Sequence, residues 1–366
     1  MPSIPRDRLP FTVGQKEGYL DRNFKVVISA EFRYAGEFID GVAEVFTASD
    51  QAPRFIDKTG RTVFDARLSA NDLRFKMMLF SFGPRVERPS DGLVLMEVYG
   101  VRQDFPDASR FGFKNLRGDW VVDPDFDEAS SFSEGLAAVS VRDESDFTNV
   151  RAGFIRTNGT FAIKPMFKDT RAFSDGVAVV EQLDGRKGVI DKTGKLLFSS
   201  AYELIGSYAH GLAVAKRGKA DYVFVRKDGT VLPAPRASFA TPFSEDLAAV
   251  LIGGRDEFDR IEPYNISGGH WGYLDKSGQL AIAAAFDWAC PFSEGLAAVN
   301  VGMITDAQHS AEGGRWGYID RTGAWVLKPQ FSRAESFADG VAGVKIGGRD
   351  AYIDSRGNVL WMASSK

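Results

Sequence analysis

The sequence predicts an all-β protein: a tandem array of about nine three-stranded antiparallel repeats, arranged as an open curved solenoid, with a closed propeller-like ring as the alternative. Three observations carry this expectation. A strand-and-turn block ending in glycine recurs nine times, a second block built on Phe-Ser-Glu-Gly recurs between its copies, and the distance from the first block to the second is fixed. A fixed internal period marks a repeat architecture, in which each unit buries its apolar face only against its neighbours. Long helices are not expected, because no window sustains apolar residues at i, i+3, i+4 and i+7. Leu68 to Phe80 is the exception, where an irregular insertion or a short helix fits.

The first block is an aromatic or aliphatic strand running into a turn, as in Gly153-Phe154-Ile155-Arg156-Thr157-Asn158-Gly159, Gly188-Val189-Ile190-Asp191-Lys192-Thr193-Gly194 and Gly272-Tyr273-Leu274-Asp275-Lys276-Ser277-Gly278. Asp-x-Thr-Gly between apolar strands suits a type I turn closed by a left-handed glycine, with the Asp accepting backbone hydrogen bonds, so each unit contains a hairpin. Apolar strand residues follow, then a stop with an aromatic two positions on: Val122, Pro124 and Phe126; Ile163, Pro165 and Phe167; Leu327, Pro329 and Phe331. Proline has no N–H to donate and is expected to end the pairing there.

The second block is Phe132-Ser133-Glu134-Gly135-Leu136-Ala137, with further copies at Phe38, Phe173, Phe292 and Phe337 and variants centred on Gly92, Gly211 and Asp246. The step from turn glycine to second-block glycine is 17 residues at 118→135, 159→176, 194→211, 278→295 and 323→340, and 60→92 alone breaks it. The return step ranges from 17 residues at 340→357 to 32 at 246→278. One connection is rigid and the other is a loop of free length. The aromatic ladder of Phe38, Phe132, Phe173, Phe243, Phe292 and Phe337, with Tyr208 in the same slot, is expected to stack between units. Residues 1–14 form an N-terminal extension or capping strand, 15–360 the array with an irregular insertion at about 65–90, and 361–366 a tail.

With these blocks in view, the chain resembles the WG-repeat (KWG-repeat) family of bacterial proteins, whose units read approximately Trp-Gly-Tyr-Ile-Asp-Lys-Thr-Gly followed by Phe-Ser-Glu-Gly-Leu-Ala. The name-giving dipeptide stands at Trp271-Gly272 and Trp316-Gly317, whereas other units put Glu17, Ala152 or Lys187 before the glycine. The resemblance implies a repeat array with a binding role and no shared catalytic residues.

Composition narrows the function. Hydrophobic residues make up 44% and charged residues 26%, with 45 Lys+Arg against 49 Asp+Glu, so there is a core to bury and no basic footprint for nucleic acid. A single cysteine, Cys290, excludes a disulfide framework and fits a reducing compartment. Met1 to Phe11 carries three prolines among charges, unlike a secretory leader, and the most apolar stretch, Leu280 to Phe286, is far too short to span a membrane. A cytoplasmic protein without membrane insertion is expected, and no cofactor.

Candidate sites divide between turns and loops. The second-block acids Asp40, Glu134, Asp175, Glu245, Glu294 and Asp339 would line up as a cation-binding ladder, but turn chemistry and pairing with Lys or Arg explain the same pattern. His270 and His309 lie in the two longest loops with Asp306 and Glu312 nearby, yet no fixed short spacing of ligands exists, so no metal is assigned. The variable loops are where function is placed, because their composition is free while the strands keep the scaffold. Segments 100–110, 142–151, 253–270 and 302–315 carry 0, −1, −2 and −1, together the whole net charge of −4.

The expected function is therefore a non-enzymatic bacterial scaffold that binds a protein partner with a basic surface, an immunity or inhibitor protein being the specific form. The contact residues are Asp256, Glu257, Phe258, Asp259, Tyr264, His270, His309 and Glu312, with Asp146 and Phe147 from an earlier loop. Two alternatives stay open: a carbohydrate or cell-envelope ligand binder using Trp271, Trp288, Trp316 and Trp325, and an enzyme with dispersed loop residues.

Overall fold

The computed structural model describes residues 8–38, 41–48, 53–66, 89–99, 109–142, 150–218, 221–256, 266–305 and 311–363. The insertion expected at about 65–90 lies almost wholly outside them. The chain divides into two compact units, one made chiefly of Arg6–Gly185 and the other of Leu196–Lys366.

Seven sheets follow one plan, clearest in the fourth along the chain. Glu128–Ala129, Leu136–Arg142, Val150–Arg156 and Phe161–Phe167 pair in that order, all antiparallel. Among the described residues the first unit contains sheets at 9–32, 34–65, 93–126 and 128–167, with 169–200 reaching the division between the units. The second unit contains those at 204–237, 239–286, 288–331 and 333–362. Seven of the nine have four strands, and the first and third show three. These are blades of the β-propeller kind.

Two expectations are corrected here. The three-stranded unit gives way to four strands in seven of the nine sheets, and blades of this plan belong to the propeller-like alternative, not to the open solenoid. The fourth strand fits into so short a unit because the first strand of each four-stranded blade has two residues, such as Asp169–Thr170 or Trp288–Ala289. The proline stop is also corrected. Pro124, Pro165 and Pro329 lie inside the last strands of their sheets, Trp120–Phe126, Phe161–Phe167 and Trp325–Phe331, at a bulge. An edge strand tolerates a missing N–H where the ladder is already interrupted. The bulge also explains the glycine of the Trp-Gly dipeptide. A Cβ on Gly153 would lie 2.6 Å from the Ile163 carbonyl oxygen and 2.7 Å from the Pro165 nitrogen, and Gly272 and Gly317 face the same obstruction.

Both turns form as the sequence predicts. At Asp320 the carboxylate accepts from the amides of Thr322 (2.9 Å) and Ala324 (3.1 Å) and from the Thr322 hydroxyl (2.6 Å), while Gly323 sits at φ 86°. The second block is a two-residue turn with both central residues left-handed, Glu134 at φ 54° and Gly135 at φ 83°, closed by Ser133 N–H to Leu136 O and the reverse. That is the type I′ geometry whose twist suits a hairpin. Asp246 takes the glycine position of one copy at φ 68°.

Blades join through the aromatic ladder. The third-strand aromatic of one blade meets the second-block Phe of the next, with ring centroids at 4.7 Å for Phe113–Phe132, Phe154–Phe173 and Tyr273–Phe292 and 4.8 Å for Tyr318–Phe337. Three tyrosines of this ladder donate their hydroxyls 17 residues ahead: Tyr19 to Gly36 O, Tyr273 to Cys290 O and Tyr318 to Glu335 O, each 2.7 Å. All these rings are buried, so each carries the hydrophobic contribution of a large side chain plus ring-pair geometry.

Phe173→Ala is expected to lower stability by about 3–5 kcal/mol in denaturant titration, because it empties a packed site, whereas Asp184→Ala on an exposed hairpin should stay within about 0.5 kcal/mol. The turn aspartates set an acid limit. The Thr322 hydroxyl first, and then the backbone amides, hold Asp320 below its ordinary value of 3.8, and the Thr193 hydroxyl does the same for Asp191. A depressed folded value stabilises above pH 3.8 and is lost as pH falls through the lowered value. Asp320→Asn should keep the turn, as Asn115 does by accepting from the Arg117 and Asp119 amides, while reducing acid sensitivity of the melting temperature below pH 3.8.

Candidate functional site

The hairpin between second and third strands varies in length from blade to blade, and in the seventh and eighth blades it extends by the same device. In the eighth blade, Leu296–Thr305 pairs with Ala311–Asp320 along ten-residue strands interrupted by Gly302, Gly313 and Gly314, all at positive φ. In the seventh blade, Leu247–Ile252 pairs with His270–Asp275, and beyond the left-handed Gly253, Gly268 and Gly269 the pairing resumes as Arg255–Asp256 with Ile266–Ser267. At their described bases these long loops are hairpins whose pairing bends or breaks at glycines and then resumes.

Polar side chains at the entrance to the first strand hold these bases. Asp287 accepts from the amides of Gly302 (2.5 Å) and Met303 (3.2 Å), and its other oxygen lies 3.7 Å from His270 Nδ1. One carboxylate therefore reaches both hairpins. Ser238 donates its hydroxyl to Gly254 O at 2.6 Å, and Asp127 accepts from the Arg142 amide at 2.7 Å while pairing with Arg110 at 2.7 Å. None of these anchors stood out in the sequence, since each lies far from the hairpin it holds.

Of the residues expected to bind a partner, His270 opens a third strand with its side chain 59% exposed. Asp256 and Glu312 sit in the extended ladders, opposite Ile266 and Ile304. Glu257, Phe258, Asp259, Tyr264, His309, Asp146 and Phe147 lie outside the described residues. Among the described residues no group of three His, Cys, Asp or Glu side chains is placed to hold a metal. Cys290 packs beside the core around Phe337, and burial pushes its thiol up to about 11.

The tryptophans do not form a platform. Trp271 is only 3% exposed and packs on Phe239 and Trp288 at 5.9 and 5.7 Å; Trp316 packs on a core cluster, and Trp325, 38% exposed, meets Phe286 edge-on. The second-block acids have a different use from a ladder of free carboxylates. Asp91 accepts from Gly135 N–H (3.0 Å), Glu134 from Gly176 (3.1 Å), Glu245 from Gly295 (2.9 Å) and Glu294 from Gly340 (2.7 Å). Each acid caps the same turn of the following blade. The adjacent serines act in parallel, with Ser133, Ser244 and Ser293 donating to Phe173 O, Phe292 O and Phe337 O at 2.7 Å each. Lys192 adds an ion pair to Glu134 at 3.1 Å.

Comparison with known proteins agrees with this repeating chemistry. The WG-containing repeat matches at residues 18–46, 111–144, 153–185, 188–219, 271–302 and 316–349, more than half of the chain. The protein belongs to the WG-repeat family. No curated protein matches it in sequence. Among solved structures, one described as the crystal structure of the eukaryotic initiation factor is similar at a TM-score of 0.62 and 10% identity, over 97% of this chain and 95% of that one. This is a likeness of fold alone. BamB from Moraxella catarrhalis is more distant, at a TM-score of 0.36 and 10% identity over 77% of this chain and 88% of that one. Among the described residues no helix is long and apolar enough to cross a membrane.

Asp287→Ala is expected to raise the hydrogen-exchange rate of the Gly302 and Met303 amides by roughly ten- to a hundredfold, the equivalent of losing hydrogen bonds to a charged acceptor. The melting temperature should barely move.

Proposed function

We propose that the protein is a non-enzymatic scaffold that binds a protein partner bearing a basic surface through the extended hairpins of its seventh and eighth blades. The observation that supports this best is that two consecutive blades carry the same elongation, with glycine bends in matching places and Asp287 reaching both. A hairpin held at its base and lengthened beyond the core presents a surface at little conformational cost. Residues 253–270 and 302–315 bring net charges of −2 and −1, which favours encounter with a basic face. Phe258 and Tyr264 supply aromatic anchors of the kind that dominate interface energies, and Asp256, Glu257, Asp259, His270, His309 and Glu312 orient the approach. Asp146 and Phe147 belong to a further variable loop.

The specific form of this reading is an immunity or inhibitor protein of a bacterial cytoplasm, with its partner a basic enzyme whose active site the hairpins cover. A carbohydrate-binding role has less support, because Trp271 is packed inside the second unit rather than displayed.

Replacing both hairpins, 253–269 and 302–314, by Gly-Gly turns is expected to leave the melting temperature within a few degrees and to abolish binding to the partner recovered from native cells. Binding to that purified partner should weaken steeply with salt. Full affinity in the double replacement contradicts the reading.

A further inference from the structure

We infer that the interface between the fourth and fifth blades holds a binding site for an organic cation, an alkylammonium group of the size of a lysine side-chain end. The site uses none of the hairpin residues above, and it stands or falls separately from the proposed function.

The reason a cavity exists here is legible along one slot of the repeat. The second-strand residue that pairs with the start of the first strand is Lys216, Leu251 and Asn300 in the sixth, seventh and eighth blades, and its third-strand neighbours there are Tyr222, Trp271 and Trp316. Large side chains fill the slot in those blades. In the fourth blade the pair is Ser140 with Ala152, and a cavity of about 140 Å³ opens between it and the first strand of the fifth blade. Glu128, Ser130, Ser140, Asp169 and Thr170 supply its polar lining, and Ala138 and Ala152 its apolar wall.

Charge and hydrogen bonding say what the cavity takes. Ser140 is 5% exposed and its hydroxyl has no hydrogen-bond partner, which leaves a donor and an acceptor on the cavity wall for a ligand to satisfy. Asp169 uses one oxygen on the Thr170 amide at 2.7 Å, and Glu128 lines the cavity and enters no ion pair among the described residues. The neighbouring cations are already committed: Arg110 and Arg142 pair with Asp127 at 2.7 and 3.6 Å, and Lys168 with Glu181 at 2.5 Å. Glu128 thus flanks the cavity with no ion pair among the described residues, and Asp169 feels only the charge of Lys168, whose ammonium is held by Glu181. Among the described residues no three candidate ligands converge to hold a metal, and the alanine wall suits methylene groups. An ammonium on a short alkyl stem satisfies both parts, with its N–H groups donating to Glu128, Asp169 and the Ser140 hydroxyl.

The test is a titration of the intact, isotope-labelled protein with n-butylammonium chloride, followed at the backbone amides of Ser140 and Thr170. Saturable shifts are expected, with no such shifts from n-butanol or from sodium chloride at the same ionic strength. Ser140→Leu, which installs the residue found in this slot of the seventh blade, should remove them while the melting temperature is kept. Glu128→Gln with Asp169→Asn should weaken binding at least tenfold and does not depend on how the leucine packs. A blocked Gly-Lys-Gly peptide distinguishes the source of the cation: tighter binding than n-butylammonium assigns a lysine of a protein, and equal or weaker binding a free alkylamine. Equal response to n-butanol, or shifts unchanged in the double carboxylate variant, overturns the site.

Discussion

The blades depend on one connection, which runs from the fourth strand of one blade through the two-residue first strand of the next and into its type I′ turn. Three interactions converge on the end of that path. The second-block Phe enters the preceding blade's aromatic site, as Phe173 does against Phe154. The preceding serine donates to the carbonyl of that Phe, and the preceding acid accepts from the turn glycine, as Ser133 and Glu134 do toward Phe173 and Gly176. Each hydrogen bond is worth only about 0.5–3 kcal/mol, yet all three demand the same spacing. A chain one residue longer would turn the following strand's faces over and break them together. That is why the 17-residue step is kept while the return step drifts.

The connection leaves two parts of the blade free to vary. The hairpins between second and third strands tolerate any length because nothing downstream depends on them, and their bases are secured by single side chains such as Asp287, Ser238 and Asp127. The slot beside the first strand is free in another sense. It accepts Lys216, Leu251, Asn300 or Ser140 without altering the ladder, so its chemistry can change blade by blade. Asn300, wholly buried with neither side-chain polar atom paired, shows that such slots carry polar groups at a cost in stability.

Much of this was legible because turn chemistry is local. Asp-x-Thr-Gly and Ser-Glu-Gly name their backbone conformations directly, and the aromatic ladder follows from counting. What the sequence hid is non-local or too short to show a period. A two-residue strand such as Glu128–Ala129 has no alternation, so the blade looked three-stranded. Pro165 read as a terminator because its effect on Gly153 appears only when the two strands lie side by side. The target of Glu134 is 42 residues away, and the anchoring of a hairpin by Asp287 is visible only after folding. The Ser140–Ala152 pair could have been found by comparing the slot across copies once the register was known.

The central claim is that the connection, and not the hairpin, sets how one blade follows another. Inserting one glycine between Phe167 and Lys168 and, separately, one between Leu183 and Asp184 tests it most directly, with thermal unfolding as the measurement. The account expects the first insertion to cost several kcal/mol, a fall of roughly 10 °C or more, and the second to shift the midpoint by no more than about 2 °C. Equal shifts from the two insertions would contradict it.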